Sequence, residues 1–303
     1  MIEVSNLTKK FNDFTAVNNL SCTIPNGSIY GMVGSNGAGK STLLRMITGV
    51  YKPDDGTVLV DGEQIFDNPS AKAKIAYVPD ELFFLPGASM NRMSDLYKRI
   101  YPQYDHERFS FLTEAFKLNP KKPIHTFSKG MKRQAATILA LAAKPTYLFF
   151  DETFDGLDPI MRNIVKKVIC EDVLERSATA IITSHSLREL EDICDQLALL
   201  HKGGLVLQSN VENIKTTLHK VQIAFNFDFS QDLFKDIEIL NYKQNGSVAT
   251  IITRGEYDDI IEKFNALSPV LLDILPLSLE ELFTYEMAAL GYDFDVSLEK
   301  EVK

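Results

Sequence analysis

The nine residues Gly34-Ser35-Asn36-Gly37-Ala38-Gly39-Lys40-Ser41-Thr42 constrain this chain more than any other stretch. They fit the pattern G-x-x-x-x-G-K-[ST]. An apolar, strand-like run from Ser28 to Val33 precedes them and a helix-like run from Thr42 to Gly49 follows. Glycines let backbone N–H groups turn inward around phosphates, where a Cβ would block the approach. The start of the following helix adds partial positive charge. Lys40 supplies a full charge for β- and γ-phosphates, and the Ser41 hydroxyl offers a ligand to Mg²⁺. A nucleoside triphosphate site is expected across residues 34–42.

A second cluster of chemistry lies about midway along the chain. Tyr147-Leu148-Phe149-Phe150 reads as a buried parallel strand ending in two carboxylates, Asp151 and Glu152. Asp151 suits Mg²⁺, directly or through water, and Glu152 suits orienting or deprotonating an attacking water. Paired carboxylates at a strand end could instead cap a helix; the phosphate loop favours catalysis. Ala178 to Thr183 reads as a further buried strand, which puts His185 where a γ-phosphate contact would be useful.

Around these motifs the chain alternates strands and helices. Residues 2–7 and 15–24 read as antiparallel strands broken at Asn12-Asp13, with Phe11 in the turn. That ring either stacks on adenine or is a core phenylalanine. Residues 82–126 carry Met90, Met93, Leu96, Tyr97, Ile100 and Tyr101 at helical spacing, with breaks at Pro102 and Pro120. Helices are expected over Lys129–Ala143, from Asp158-Pro159, and over Leu187–Cys194. Beyond Lys220 the pattern restarts as a small α+β segment: strands Val221–Phe227, Ile237–Tyr242, Val248–Thr253 and Val270–Leu275, with helices from Tyr257 and from Ser278 to Leu290. Asn245-Gly246 marks a hairpin. The expected division is 1–220, 221–292 and a charged tail, 293–303.

Composition narrows the function classes. No apolar run approaches the ~20 residues that span a bilayer, and Met1-Ile2-Glu3-Val4 does not open a signal peptide. Cys22, Cys170 and Cys194 are far apart, so buried thiols are expected rather than a metal site or disulfide. Residues 221–303 hold 6 Lys and Arg against 16 Asp and Glu, whereas residues 1–220 hold 26 against 25. Neither part offers the basic surface that nucleic acid requires, so no nucleic-acid partner is expected.

The order of motifs resembles the nucleotide-binding subunit of ATP-binding cassette (ABC) transporters over about residues 1–220. It runs from Gly34–Thr42 to Phe127-Ser128-Lys129-Gly130-Met131-Lys132-Arg133-Gln134, Tyr147–Glu152, Phe154-Asp155-Gly156-Leu157-Asp158 and His185. The resemblance implies a RecA-like P-loop ATPase core of α/β class, with an antiparallel β-subdomain and a helical subdomain. It implies ATP and Mg²⁺ as cofactors. Phe11 corresponds to the adenine-stacking aromatic, although tyrosine is more usual. Gly34 to Thr42 is the Walker A loop, Asp151 the Walker B aspartate, Glu152 the catalytic glutamate and His185 the switch histidine. Ser128, Lys129, Gly130 and Met131 fall on the signature that meets ATP held by the opposite subunit. Asp155 to Asp158 falls on the D-loop at the dimer interface.

Two positions depart from the family pattern. The usual L-S-G-G-Q signature has Lys129 for a glycine and Met131 for glutamine; Lys129 either adds charge near the partner's phosphates or points to solvent. Asp80 stands where the Q-loop glutamine is usual, and its shorter carboxylate can still approach Mg²⁺ or a water. These features resemble bacterial exporters of the ABC-2 type, similar to YtrB-like ATPases. The resemblance implies a second ATPase subunit, the same or homologous. It also implies a separately encoded transmembrane permease engaged through residues 82–126, and a cytoplasmic location at the inner face of the membrane. The rival reading is a soluble ABC ATPase of translation or DNA maintenance. One cassette, no long heptads and an acidic appendage weigh against it.

Overall fold

The computed structural model describes residues 1–211, 218–275 and 277–289. It divides into two compact units between Gln208 and Ser209. The division falls earlier than the expected residue 220, because Leu218–Lys220 already pair with Ile252–Arg254 in the second unit's sheet. The end of the last predicted helix at Leu290 and the tail 293–303 lie outside the described residues.

In the first unit, β1 (Ile2–Phe11) and β2 (Phe14–Ile24) form a hairpin whose tip pairs Phe11 with Phe14. β4 (Asp55–Val60) and β5 (Glu63–Gln64) extend it into an antiparallel sheet of order β2-β1-β4-β5. The second sheet has order β10-β9-β3-β8-β7-β6. Its strands are β3 (Ile29–Val33), β6 (Ile75–Val78), β7 (Tyr147–Asp151), β8 (Thr179–Ser184), β9 (Gln196–His201) and β10 (Gly204–Asn210). β3, β7 and β8 are buried along their whole length and pair in parallel, which is why they read as unbroken apolar runs.

Helix α1 (Lys40–Ile47) lies between the two sheets. Its Leu43, Leu44, Met46 and Ile47 share one core with Ile2, Val4, Leu20 and Val60 of the antiparallel sheet and Tyr30, Phe149 and Ile181 of the parallel one. Gly49 (φ 69°) ends it, with its N–H on the Met46 carbonyl. The short α2 (Pro69–Lys72) is capped by Asn68. The helical region holds α3 (Met90–Ile100), α4 (His106–Ala115) and α5 (Lys129–Ala142), with residues 82–88 outside any helix. α6 (Pro159–Arg176) and α7 (Leu187–Glu191) complete the unit.

The second unit has β11 (Leu218–Ala224), β12 (Ile239–Asn245), β13 (Val248–Arg254) and β14 (Leu271–Leu275), antiparallel in the order β12-β13-β11-β14. α8 (Tyr257–Asn265) joins β13 to β14, and a short 3₁₀ turn at Gln231–Phe234 lies between β11 and β12. This is the interleaved order of a ferredoxin-like sheet, with the first helix reduced to a turn. Ile260 and Phe264 of α8 pack with Val221, Ile223, Phe225 and Ile251. α9 (Leu279–Ala289) buries Leu279, Leu282 and Phe283.

Candidate nucleotide site

The loop after β3 opens at the carboxyl ends of the parallel strands, where the strand order reverses and α/β sheets bind ligands. Its glycines are sterically required at two points. A Cβ on Gly34 would sit 2.5 Å from the Leu200 carbonyl oxygen, and one on Gly39 (φ 101°) would sit 2.5 Å from that of Ala16. A cavity of about 270 Å³ is lined by Asn36 to Thr42 together with Phe14, Ala16, Asp80 and Glu152.

Lys40 is buried, and its ammonium donates to the Gly34 carbonyl at 2.6 Å and the Ser35 carbonyl at 3.3 Å. It also faces Glu152 Oε1 at 3.2 Å. Glu152 has a left-handed backbone (φ 48°), which is unfavourable for a residue with a Cβ and turns the side chain out of strand β7. Its other oxygen meets His185 Nδ1 at 2.9 Å and accepts the His185 backbone N–H at 3.3 Å. Glu152 therefore links Lys40 to His185 through its two oxygens.

Asp151 is fully buried and its oxygens are occupied by hydroxyls. Thr183 Oγ1 donates to Oδ1 at 2.7 Å, Ser41 Oγ to the same oxygen at 3.1 Å, and Tyr77 to Oδ2 at 3.1 Å. Burial and the Asp151 carboxylate push the Tyr77 phenol well above its ordinary range, so it stays a donor. Thr183 also accepts the Glu152 N–H at 3.0 Å, tying both carboxylate residues to β8. The juxtaposed Ser41 hydroxyl and Asp151 carboxylate are hard oxygen donors beside a phosphate cradle, a set that fits Mg²⁺.

Asp80 borders the same cavity, but its Oδ1 accepts from Arg133 Nη2 at 2.8 Å. Phe11 is not part of the lining; its ring meets Tyr51 edge-on at 5.7 Å, with the Lys9 ammonium 5.7 Å from its centre. Phe14, its cross-strand neighbour, lines the cavity instead.

The signature residues stand apart from this cavity. Ser128 caps α5 by accepting the Met131 N–H at 3.2 Å. Gly130 lies against the D-loop, where a Cβ would come 3.0 Å from the Gly156 carbonyl oxygen. Lys129 bonds Asp155 Oδ2 at 2.7 Å, and that hydrogen bond holds the Asp155 carboxyl below its ordinary value. Asp158 caps α6, accepting the Ile160 and Met161 N–H groups at 3.0 Å each. Sequence reading missed Phe14, Tyr77, Thr183 and Arg133. A Thr at the end of the strand beside Asp151 was the available signal, whereas Lys132-Arg133 near the start of α5 gave none.

Residues 17–155 match the sequence family described as ABC transporter. The chain is 30% identical over 283 residues to the ABC transporter ATP-binding protein YtrB of Bacillus subtilis (strain 168), covering 93% of this chain and 97% of that protein. It is 32% identical over 212 residues to the linearmycin resistance ATP-binding protein LnrL of the same organism, covering 68% of each. It also resembles a solved dimeric ATP-binding cassette in a post-hydrolysis state bound to ADP and Pi. The TM-score is 0.64 at 20% identity, over 70% of this chain and 99% of that one, a likeness of fold.

Proposed function

Since the chain belongs to the ATP-binding proteins of ABC transporters and is an ATPase, we propose that two such subunits close head to tail around two ATP molecules. Relatives that are transporter proteins favour this over a soluble ATPase of translation or DNA maintenance. One observation carries the head-to-tail arrangement. Ser128 and Gly130 lie outside the lining of their own chain's phosphate-loop cavity, which supports their meeting ATP held by a second subunit.

In this reading Gly34 to Thr42 wrap the phosphates, with Lys40 moving from Glu152 to the β- and γ-phosphates. Ser41 and Asp151 hold Mg²⁺, which would neutralise developing charge. Glu152 acts as the base for water, and His185 steers Glu152 through Nδ1. Phe14, which lines the cavity, flanks the base, with Phe11 beside it across the hairpin. Asp155 to Asp158 and Lys129 lie at the subunit interface.

Similarity to ABC transporter ATP-binding proteins favours a separate membrane permease as partner, and no helix among the described residues is long and apolar enough to cross a membrane. We assign docking of the permease to residues 82–126, at the inner face of the cell membrane, with export as the direction. Leu82 to Gly87, Ile124, His125 and Lys132 line one cavity there, and Phe83 is 77% exposed. The second unit, which begins at Ser209, serves as an accessory domain.

The test uses tagged Glu152→Gln protein in ATP-treated lysate, with crosslinkers placed in residues 82–126. Co-sedimentation with membranes and crosslinks to a multi-span protein are expected. Sedimentation with ribosomes or nucleic acid would overturn the transport reading.

A further inference from the structure

We infer that Arg133 is a positioning residue that anchors the segment after β6 to the end of β7, and that Asp80 serves this anchor rather than the magnesium ion. The inference rests on the nucleotide site described above and assigns Asp80 a different task within it.

Arg133 is only 1% exposed and is among the largest fully buried side chains of the chain. A guanidinium is permanently charged, so its burial demands an anion and several acceptors. Nη2 donates to Asp80 Oδ1 at 2.8 Å. Nη1 reaches the carbonyls of Pro79 at 3.3 Å, Asp80 at 3.2 Å and Asp151 at 3.4 Å. Three segments therefore converge on one cation: the loop after β6, the end of β7 and the first turns of α5.

Among the described residues Asp80 is the carboxylate that pairs with Arg133. It is half-exposed and borders the phosphate-loop cavity, while also lining a neighbouring cavity of about 240 Å³ with Leu82, Lys129, Lys132 and Arg133. If Asp80 turned to Mg²⁺, the buried guanidinium would keep only neutral carbonyls. Breaking a buried ion pair from one side costs far more than the pair itself contributes. Ser41 and Asp151 already supply oxygen donors, and their side chains bond each other rather than Arg133. Since Arg133 also holds the Asp151 carbonyl, displacement of the 79–80 segment pulls on the strand end that carries Asp151 and Glu152.

Two measurements test this. In nucleotide-free protein, amide exchange across residues 79–88 should speed by about ten-fold or more in Asp80→Asn and in Arg133→Gln, with the double variant no faster than either alone. Unchanged or additive effects would overturn the anchor. In a Glu152→Gln background, Asp80→Asn should leave the Mg²⁺ midpoint for ATP-driven dimerisation within about two-fold. A rise of about ten-fold would instead make Asp80 a metal ligand. If Arg133→Gln fails to fold, Asp80→Asn alone decides through both readouts. A Glu152→Gln protein that binds no ATP would defeat the nucleotide reading, while the exchange experiment, needing no nucleotide, would still judge the anchor.

Discussion

The carboxylate of Glu152 holds the lysine that must bind phosphate. Lys40 Nζ lies 3.2 Å from Glu152 Oε1, and both side chains are largely buried, at 6% and 14% exposure. ATP therefore has to displace a charge-assisted contact to reach Lys40. Such contacts are worth about 1.5–3 kcal/mol net, and a neutral amide in the same place retains about 1 kcal/mol. Glu152→Gln should release about 0.5–2 kcal/mol of this competition, tightening ATP binding by roughly 2–30-fold. Turnover should fall in the same protein by about 10²–10⁴-fold, through loss of the base. Fluorescent-nucleotide titration and phosphate release measure the two effects separately. Equal or weaker ATP affinity would refute the competition between Glu152 and phosphate. Turnover at the parent rate would refute the role of Glu152 as base.

Two further outcomes follow from the site. Thr183→Val removes the donor to Asp151 Oδ1 and the acceptor of the Glu152 N–H, both within a fully buried strand. It should cost about 2–4 kcal/mol in urea unfolding, and a loss below about 0.5 kcal/mol would contradict the buried network. The second concerns Lys129, whose hydrogen bond lowers the Asp155 carboxyl from its ordinary 3.8. A depressed carboxylate contributes stability above the unfolded value and loses it as pH falls through the folded one. The stability difference between parent and Lys129→Ala should then be level above 3.8 and fade below it, and NMR should show the Asp155 midpoint rising in the variant. A difference that persists to lower pH would contradict the pairing.

The phosphate loop was legible because its chemistry is local: spacing alone fixes a turn, a cation and a helix start. The strands ending in Asp151 and Ser184 were legible because parallel strands buried on both faces leave unbroken apolar runs. Arg133 was not legible, since Lys132-Arg133 near a helix start looks like a solvated pair; only the fold brings Pro79, Asp80 and Asp151 around it. Phe14 was overlooked beside Phe11 because hairpin register decides which of two neighbouring rings meets the loop. In the second unit β11 begins at Leu218 rather than Val221. His219 and Lys220 look like loop residues until the Gly255 carbonyl and the Glu281 carboxylate partner them. The Asn245-Gly246 hairpin, being local, fell where expected between β12 and β13.

Helix α1 carries no exposed residue along its length, because a sheet covers it on either side. Close-packed interiors deform little, so the helix that receives the phosphates cannot shift without dragging both sheets along. The loop and its helix act as a fixed anvil. Any movement that ATP binding produces in this unit has to be taken up by segments with a free side, and the 79–128 stretch between β6 and α5 is the largest of them. Work done by the nucleotide would then leave the molecule through that stretch, with the antiparallel sheet serving as the mount against which it pushes.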